Sequence, residues 1–230
     1  MAGPATTVHI PPRQLALTLE HAESFAREDF LTGPSNESAL ALIERWPDWP
    51  ARAVLLVGPQ DSGKSHLAAI WAELSGARFT AARSLASADL PAELATGALV
   101  VEDLAEGKFD ERALFHLLNL VREEDAYLLI TARSQPTMWQ ISVLDLTSQL
   151  RALPVVTLSP PDDALLRAVI VKLFADRQLA VEEGLIGYLA SRIERSFAAA
   201  RAAVDALDRE ALRLKRPVTR ALAGELFREP

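Results

Sequence analysis

The chain contains no cysteine among its 230 residues, and this absence excludes two kinds of site. Disulfides and thiolate-bound metals both require cysteine sulfur. The histidines lie far apart, without the spacing of metal ligands, at His9, His21, His66 and His116. No apolar stretch approaches the ~20 residues that a membrane-spanning helix needs, and no basic start followed by an apolar run marks a secretory signal. We therefore expect a cytoplasmic protein with no membrane partner.

Positive charge is also scarce, since 24 lysines and arginines stand against 31 acidic residues and the formal net charge is −7. This balance argues against a protein that coats nucleic acid, and we expect no direct, sequence-specific binding of DNA. The charge is uneven, however. Between Ser191 and Arg220, four acidic residues accompany eight basic ones, at Arg192, Arg195, Arg201, Arg209, Arg213, Lys215, Arg216 and Arg220. A solvated helical face with intrahelical ion pairs is the favoured interpretation, and a phosphate-binding surface is the alternative.

Short apolar runs alternate with segments of helical periodicity through the first two thirds of the chain. Strands are predicted at residues 53–57, 77–81, 98–101, 127–131 and 155–158. Helices are predicted from Ser35 to the turn at Pro47, and over residues 64–74 and 110–122. Strands that alternate with helices predict an α/β fold, in which helices cover both faces of a parallel sheet.

The pattern changes to helices alone after Ser159. Four are predicted, over residues 162–178, 181–194, 196–214 and 218–227, with Asp162 and Ser196 as N-caps. Three prolines discourage regular structure before about residue 23. We therefore expect a tail over residues 1–23, an α/β domain over residues 24–160 and a helical domain over residues 161–230.

A phosphate-binding loop is predicted between the first strand and the following helix. It matches G-x-x-x-x-G-K-[ST] at every fixed position, with the residues Gly58, Pro59, Gln60, Asp61, Ser62, Gly63, Lys64 and Ser65. Glycines let backbone N–H groups turn toward phosphate oxygens, and the helix that begins near Gly63 directs its positive end to the same place. Lys64 would add a charge for the outer phosphates, and Ser65 would offer its hydroxyl to Mg²⁺. The neighbouring His66 is included in the predicted nucleotide site.

A pair of acidic residues ends a later strand, which we predict to be buried. Glu102 and Asp103 follow the apolar run at residues 98–101, the place where such sites carry the acid that organises Mg²⁺. A strand that simply ends in solvent-exposed acids is the alternative.

Beyond these two motifs, further segments resemble the AAA+ module of DnaA, the bacterial replication initiator. They are the residues FLTGPSN at 30–36, ALFHLLN at 113–119, LLIT at 128–131 and DLTS at 145–148. The resemblance covers about residues 10–227. It implies a five-stranded parallel sheet in the order 5-1-4-3-2 with a small all-helical lid, and it implies ATP or ADP with Mg²⁺ as cofactors.

A short tail followed by an AAA+ module, with no room for a C-terminal helix-turn-helix domain, is similar to Hda, the regulatory paralogue of DnaA. The tail residues Gln14, Leu15, Leu17 and Leu19 resemble the peptide by which bacterial proteins bind the DNA polymerase III sliding clamp. In an extended segment the three leucines project to one side and can fill an apolar groove. An edge strand or a loop packed on the body is the alternative.

The resemblance assigns roles to the acidic pair and to the lid. Glu102 takes the Mg²⁺-side position, and Asp103 takes that of the water-activating acid. The lid arginine that senses nucleotide falls at Ala198, with Arg195 and Arg201 a helical turn to either side, and Arg195 is the chosen candidate.

Two further positions depart from the family pattern. Arg133 stands where the first sensor carries an aspartate, and Gln149 stands where the family has its arginine finger. Such a finger is worth roughly 10³–10⁵ in rate, and glutamine carries no charge, so intrinsic ATP hydrolysis should be weak or absent. Arg151 is the candidate replacement, since two residues along a strand-like segment keep the same face and shift the position by only ~7 Å.

By resemblance, the protein would act with the DNA-loaded sliding clamp to promote hydrolysis of DnaA-bound ATP and prevent re-initiation. Its partners would then be DnaA and the clamp, while homodimer formation is left open. Two other functions remain. An autonomous ATPase that loads replication machinery would turn ATP over by itself, whereas a nucleotide-locked adaptor would take no part in hydrolysis.

Overall fold

A five-stranded parallel sheet forms the centre of the computed structural model, which describes residues 25–227. The strands are β1 (Ala53–Val57), β2 (Arg78–Ala81), β3 (Ala98–Leu104), β4 (Tyr127–Ala132) and β5 (Val155–Thr157). Their order across the sheet is β2-β3-β4-β1-β5, and every paired register is parallel. The predicted strand order and α/β class are confirmed.

Nine α-helices accompany the sheet over the described residues. They are α1 (Glu37–Glu44), α2 (Lys64–Ser75), α3 (Leu90–Glu93), α4 (Glu111–Glu123), α5 (Leu144–Ala152), α6 (Asp163–Asp176), α7 (Glu183–Ala190), α8 (Phe197–Leu214) and α9 (Arg220–Leu226). Short 3-10 helices occupy Arg27–Asp29, Ala82–Ser87 and Pro136–Met138.

Apolar layers cover both faces of the sheet, as the unbroken apolar sequence of β1 requires. All five β1 residues are buried. Alternate β1 side chains enter opposite layers: Val54 and Leu56 pack on the side of α1 and α2, and Leu55 packs on the side of α4 and α5. This double coverage holds the loop after β1 between a rigid strand and a rigid helix.

The helices after residue 162 build a separate core. Buried side chains of α6, α7, α8 and α9 pack mainly on one another, with Leu166, Phe174 and Leu207 among them. The predicted caps are present, since the side chains of Asp162 and Ser196 accept backbone N–H bonds from Leu165 (2.7 Å) and Ala199 (3.1 Å). The exact domain limits stay a prediction.

One predicted element is wrong. The segment with Gln149 and Arg151 is not strand-like but lies in α5. Its apolar residues Leu146 and Leu150 are four apart, which is the helical spacing, and both are buried against the sheet. No helix among residues 25–227 is long and apolar enough to cross a membrane.

Candidate nucleotide site

The predicted phosphate loop follows β1 directly, at the edge where the carboxyl ends of the parallel strands meet. The N–H of Gly58 donates to the carbonyl of Ala132 at the end of β4, 3.1 Å away. A Cβ at position 58 would lie 2.7 Å from the Ser62 hydroxyl and 2.9 Å from the Leu158 carbonyl. Only glycine fits this start of the loop.

Two left-handed residues turn the loop into the helix. Asp61 has a φ of 56° and Gly63 a φ of 94°, and α2 begins at the next residue, Lys64. A Cβ on Gly63 would also approach the Phe30 ring to 3.3 Å. Backbone N–H groups of such a turn converge on one point, and the helix dipole adds positive potential there.

Lys64 is buried within this loop. Its Nζ donates to the carbonyls of Gly58 (2.9 Å) and Pro59 (2.6 Å). Burial lowers the pKa of the Lys64 ammonium; the carboxylates of Asp103 and Asp61 oppose that effect, and Arg133 adds to it. The lysine is therefore held in place at the loop, with an acid of β3 as its electrostatic partner.

The two acids at the end of β3 take different positions. The register of β3 against β4 shifts between Val101 and Leu104, and within this irregularity Asp103 is left-handed, with a φ of 56°. Asp103 lines the cleft beside Lys64, whereas Glu102 stays in the ladder opposite Ala81 of β2 and is not among the cleft residues. The structure thus brings Asp103, and not Glu102, to the site.

Thr131 holds Asp103 in this position. Its buried hydroxyl accepts the backbone N–H of Asp103 at 3.1 Å. Sequence reasoning counted Thr131 only as part of a family segment. A polar residue within the otherwise apolar run of β4 was the available signal.

A cleft of about 1040 Å³ opens between the loop and the helices α6 and α8. Apolar side chains line one part of it, namely Phe30, Leu31, Val169, Leu173 and Phe197. Gln60, Ser65 and His66 of the loop and first turn also line it. A cleft with an apolar pocket and a polar loop has the make-up that binds a base at one end and phosphates at the other.

The lid contributes a different arginine from the one predicted. Arg195 lies before the N-cap of α8, and its guanidinium pairs with Asp163 at 2.9 Å, so it is not among the cleft residues. Arg201, one turn into α8, lines the cleft together with Arg177 and Arg209. Arg195 precedes α8, which begins at Phe197, whereas Arg201 lies within that helix.

His66 joins the first turn of α2 to the preceding segment. Its Nε2 lies 2.9 Å from the Ala26 carbonyl, and its ring meets Phe25 and Phe30 edge-on, with centroids 5.4 Å and 5.1 Å apart. The predicted site residue thus positions Phe30, which closes the apolar part of the cleft.

Gln149, at the arginine-finger position, is turned toward the protein. On α5, Gln149 donates from Nε2 to Asn119 Oδ1 of α4 at 2.9 Å. Arg151 is two residues further along a helix, roughly 200° around its axis, so the predicted shared face does not exist. Arg151 is exposed and forms no hydrogen bond or ion pair with the described residues. Leu144 and Ser148 lie on the same side of α5 and are exposed too.

The residues fit a magnesium nucleotide. Ser65 is exposed at the first turn of α2, and Asp103 lines the same cleft. No group of three acidic or histidine side chains within residues 25–227 could hold a metal by itself. Mg²⁺ takes most of its ligands from phosphate and water and few from protein, so two oxygen-bearing side chains are enough for such a fit.

Comparison with known proteins agrees with this geometry. No family model matches the chain. The chromosomal replication initiator protein DnaA of Caulobacter vibrioides, in strains NA1000 / CB15N and ATCC 19089 / CIP 103742 / CB 15, is 30% identical over 183 residues. That match covers 69% of this chain but only 37% of the relative.

Three solved structures share the fold. Domain III of Thermotoga maritima DnaA superimposes with a TM-score of 0.72 at 18% identity, over 88% of this chain and 95% of that one. AMPPCP-bound DnaA from Aquifex aeolicus gives 0.66 at 16% identity, over 81% and 65%. The Thermotoga maritima RuvB branch migration motor gives 0.65 at 18% identity, over 84% and 68%. From its sheet order, its phosphate loop and these similarities, the described part of the chain is a DnaA-like AAA+ domain.

Proposed function

We propose that this chain is a nucleotide-binding AAA+ regulator of replication initiation. Acting with the sliding clamp, it would promote hydrolysis of DnaA-bound ATP and prevent re-initiation. The observation that carries the proposal is a complete phosphate loop with Lys64 in a chain that also presents an exposed arginine, Arg151, on α5 two residues after the finger position. Such a protein is suited to bind nucleotide and to offer a cation to the phosphates of a neighbouring ATPase.

ATP or ADP is the proposed ligand of the cleft. Phosphates would meet the backbone N–H groups of residues 60–65 and the ammonium of Lys64, while the base would enter the apolar part beside Phe30 and Phe197. Ser65 and Asp103 would hold Mg²⁺, which neutralises phosphate charge when bound. The Aquifex aeolicus DnaA structure with AMPPCP supports a nucleotide of this kind in a similar fold.

Arg151 is the proposed cation that acts in trans. An arginine finger must leave its own domain to reach the phosphates of a neighbour. Arg151 is exposed on the outer side of α5, and Leu144, which is 79% exposed, offers an apolar side chain on the same side two helical turns earlier. We therefore place the DnaA-binding surface on this side of α5, defined by Leu144, Ser148 and Arg151.

Attachment to the clamp would come from Gln14, Leu15, Leu17 and Leu19. These residues lie outside the described range, and their role remains a proposal from sequence. Attachment to the clamp would concentrate this chain beside newly replicated DNA and so couple DnaA inactivation to replication.

The test measures phosphate release from ATP-bound DnaA in the presence of DNA-loaded clamp. We expect stimulation by the wild-type protein, a loss of about tenfold or more in the Arg151→Ala variant, and wild-type stimulation by Arg213→Ala. Arg213 is a matched control because it is also an exposed helical arginine, yet it is paired with Glu210. The intrinsic ATPase activity of the chain, measured without DnaA, should stay low in the wild-type protein and in both variants.

A nucleotide-locked adaptor is the second candidate, and the hydrogen bond of Gln149 favours it. In that case Arg151→Ala would behave as wild type, and neither protein would stimulate DnaA. Substantial ATP turnover by the isolated chain would instead point to the autonomous ATPase.

A further inference from the structure

Two arginines converge on one tyrosine at the outer surface of the lid. The guanidinium carbon of Arg192 lies 4.2 Å from the centre of the Tyr188 ring, and that of Arg220 lies 5.5 Å from it. Tyr188 belongs to α7, Arg192 follows that helix, and Arg220 begins α9. The lid fold thus brings together two charges that are far apart in sequence.

Neither arginine is neutralised within the described part of the chain. Both side chains are exposed, and no ion pair or hydrogen bond to residues 25–227 involves either of them. Three other arginines of this basic region differ because each of them forms an ion pair. Arg195 pairs with Asp163 (2.9 Å), Arg213 with Glu210 (2.6 Å) and Arg216 with Glu225 (3.3 Å). The favoured intrahelical pairing of this basic region therefore holds for Arg213, but Arg192 and Arg220 stand outside it.

A third guanidinium lies close to the same helix. Arg167 of α6 is exposed, and its Nη1 lies 3.6 Å from where a Cβ on Gly187 would be. Arginine side chains that lie close together repel one another unless an anion accompanies them. The Tyr188 ring attracts a guanidinium to its face and leaves the N–H edge of that group available for an anion.

We propose that Arg192, Arg220 and Tyr188 form a site for the phosphodiester backbone of duplex DNA. Guanidinium groups match phosphate oxygens in geometry, and contacts of this kind carry no sequence preference. Both guanidinium groups are on exposed residues, which suits a continuous row of phosphates better than a single small anion. The site lies on the lid and is independent of the nucleotide proposal.

Binding of a fluorescein-labelled random-sequence duplex to the full-length protein, followed by anisotropy over a series of salt concentrations, tests the site. The variants are Arg192→Ala/Arg220→Ala and, as the matched control, Arg213→Ala/Arg216→Ala, which removes the same charge from paired arginines. We expect the first pair to weaken binding about tenfold at ~50 mM salt and to reduce the slope of log K against log salt by about 2. The control pair should change neither quantity by more than about a third as much.

Three results would overturn the proposal: no duplex binding by wild type at low salt, an equal loss in the control pair, or displacement of the duplex by ATP. Displacement by ATP would place the DNA in the nucleotide cleft. Binding of an acidic polypeptide that is lost in Arg192→Ala/Arg220→Ala, without any duplex binding, would assign the surface to an acidic protein partner. Circular dichroism and melting temperature of each variant exclude misfolding as the cause.

Discussion

Lys64 is the residue on which the nucleotide proposal depends. A lysine in water is a mobile point charge, but here the carbonyls of Gly58 and Pro59 hold its ammonium inside the loop. Burial makes that charge costly in the absence of an anion, and Asp103 compensates for it in part. A bound phosphate would supply the compensation directly, so binding and the stability of the charged lysine are coupled.

Replacing Lys64 by alanine should remove most affinity for ATP and ADP, because the phosphate loop loses its buried cation. We expect at least about a hundredfold weaker binding by calorimetry, in line with about 3 kcal/mol for a charged hydrogen-bonded partner. Ser65→Ala is the control: it should keep affinity measured without Mg²⁺ and lose only the increment that Mg²⁺ adds. Unchanged affinity in Lys64→Ala would contradict a nucleotide site at this loop.

The pH dependence of nucleotide affinity follows from the lowered pKa of Lys64. The protonated lysine binds phosphate, so affinity is fully present below the lowered pKa and is lost as the pH rises through it, at a pH below the ordinary 10.5. Titration calorimetry between pH 7 and pH 10.5 should show this decline of affinity in the wild-type protein. Lys64→Arg, whose charge persists, should show a flat profile over the same interval, and an equal decline would refute the assignment.

At the scale of elements, helix starts position the site. Helix α2 begins at the loop, and α6, which begins at Asp163 after its N-cap Asp162, carries Val169, Lys172 and Leu173 into the cleft. Lys172 also links the lid to the 3-10 helix at Arg27–Asp29, since its Nζ lies 2.8 Å from Asp29 Oδ1 and 2.8 Å from Asp176 Oδ2. Burial alone would lower the pKa of Lys172, but the hydrogen bonds to these two carboxylates outweigh it and raise that pKa.

Asp162→Ala should destabilise the protein by about 1 kcal/mol, because the first turn of α6 loses the acceptor for the Leu165 N–H. Urea unfolding measures the change. Asn caps helices about as well as Asp, so Asp162→Asn should stay close to wild type. An equal loss in both variants would mean that the charge of Asp162, and not its cap, matters.

At the scale of the whole molecule, separate surfaces are assigned separate tasks. The cleft lies at the carboxyl edge of the sheet, the outer side of α5 carries Arg151, and the lid surface carries Arg192 and Arg220. None of these surfaces shares a residue with another. Loss of one function by mutation should therefore leave the others measurable.

Clamp attachment can be separated from folding on the same reasoning. Replacing Gln14 and Leu15 by alanine should abolish binding to immobilised clamp, because a linear peptide depends on a few anchoring side chains. The melting temperature should change little, since a docking peptide adds nothing to the core. A large fall in melting temperature would assign the segment to the fold, and retained clamp binding would move the interaction to another surface.

The fold was predictable to a large extent because its signals are local. Apolar runs such as residues 53–57, helical periodicity in α4, and caps such as Asp162 all follow from neighbours in sequence. Helix α5 was missed because only two of its nine residues, Leu146 and Leu150, are buried, so its period is weak. The same error placed Gln149 and Arg151 on one face.

The sequence by itself determined the phosphate loop, since the glycines and Lys64 must be adjacent for the turn to form. Tertiary structure alone decided which distant residues meet that loop. A shift in the register of β3 turned Asp103 rather than Glu102 to the cleft, and the start of α8 at Phe197 placed Arg201 there instead of Arg195. It also gathered Arg192 and Arg220 on Tyr188. Spacing along a chain is local, whereas these contacts depend on how strands and helices pack.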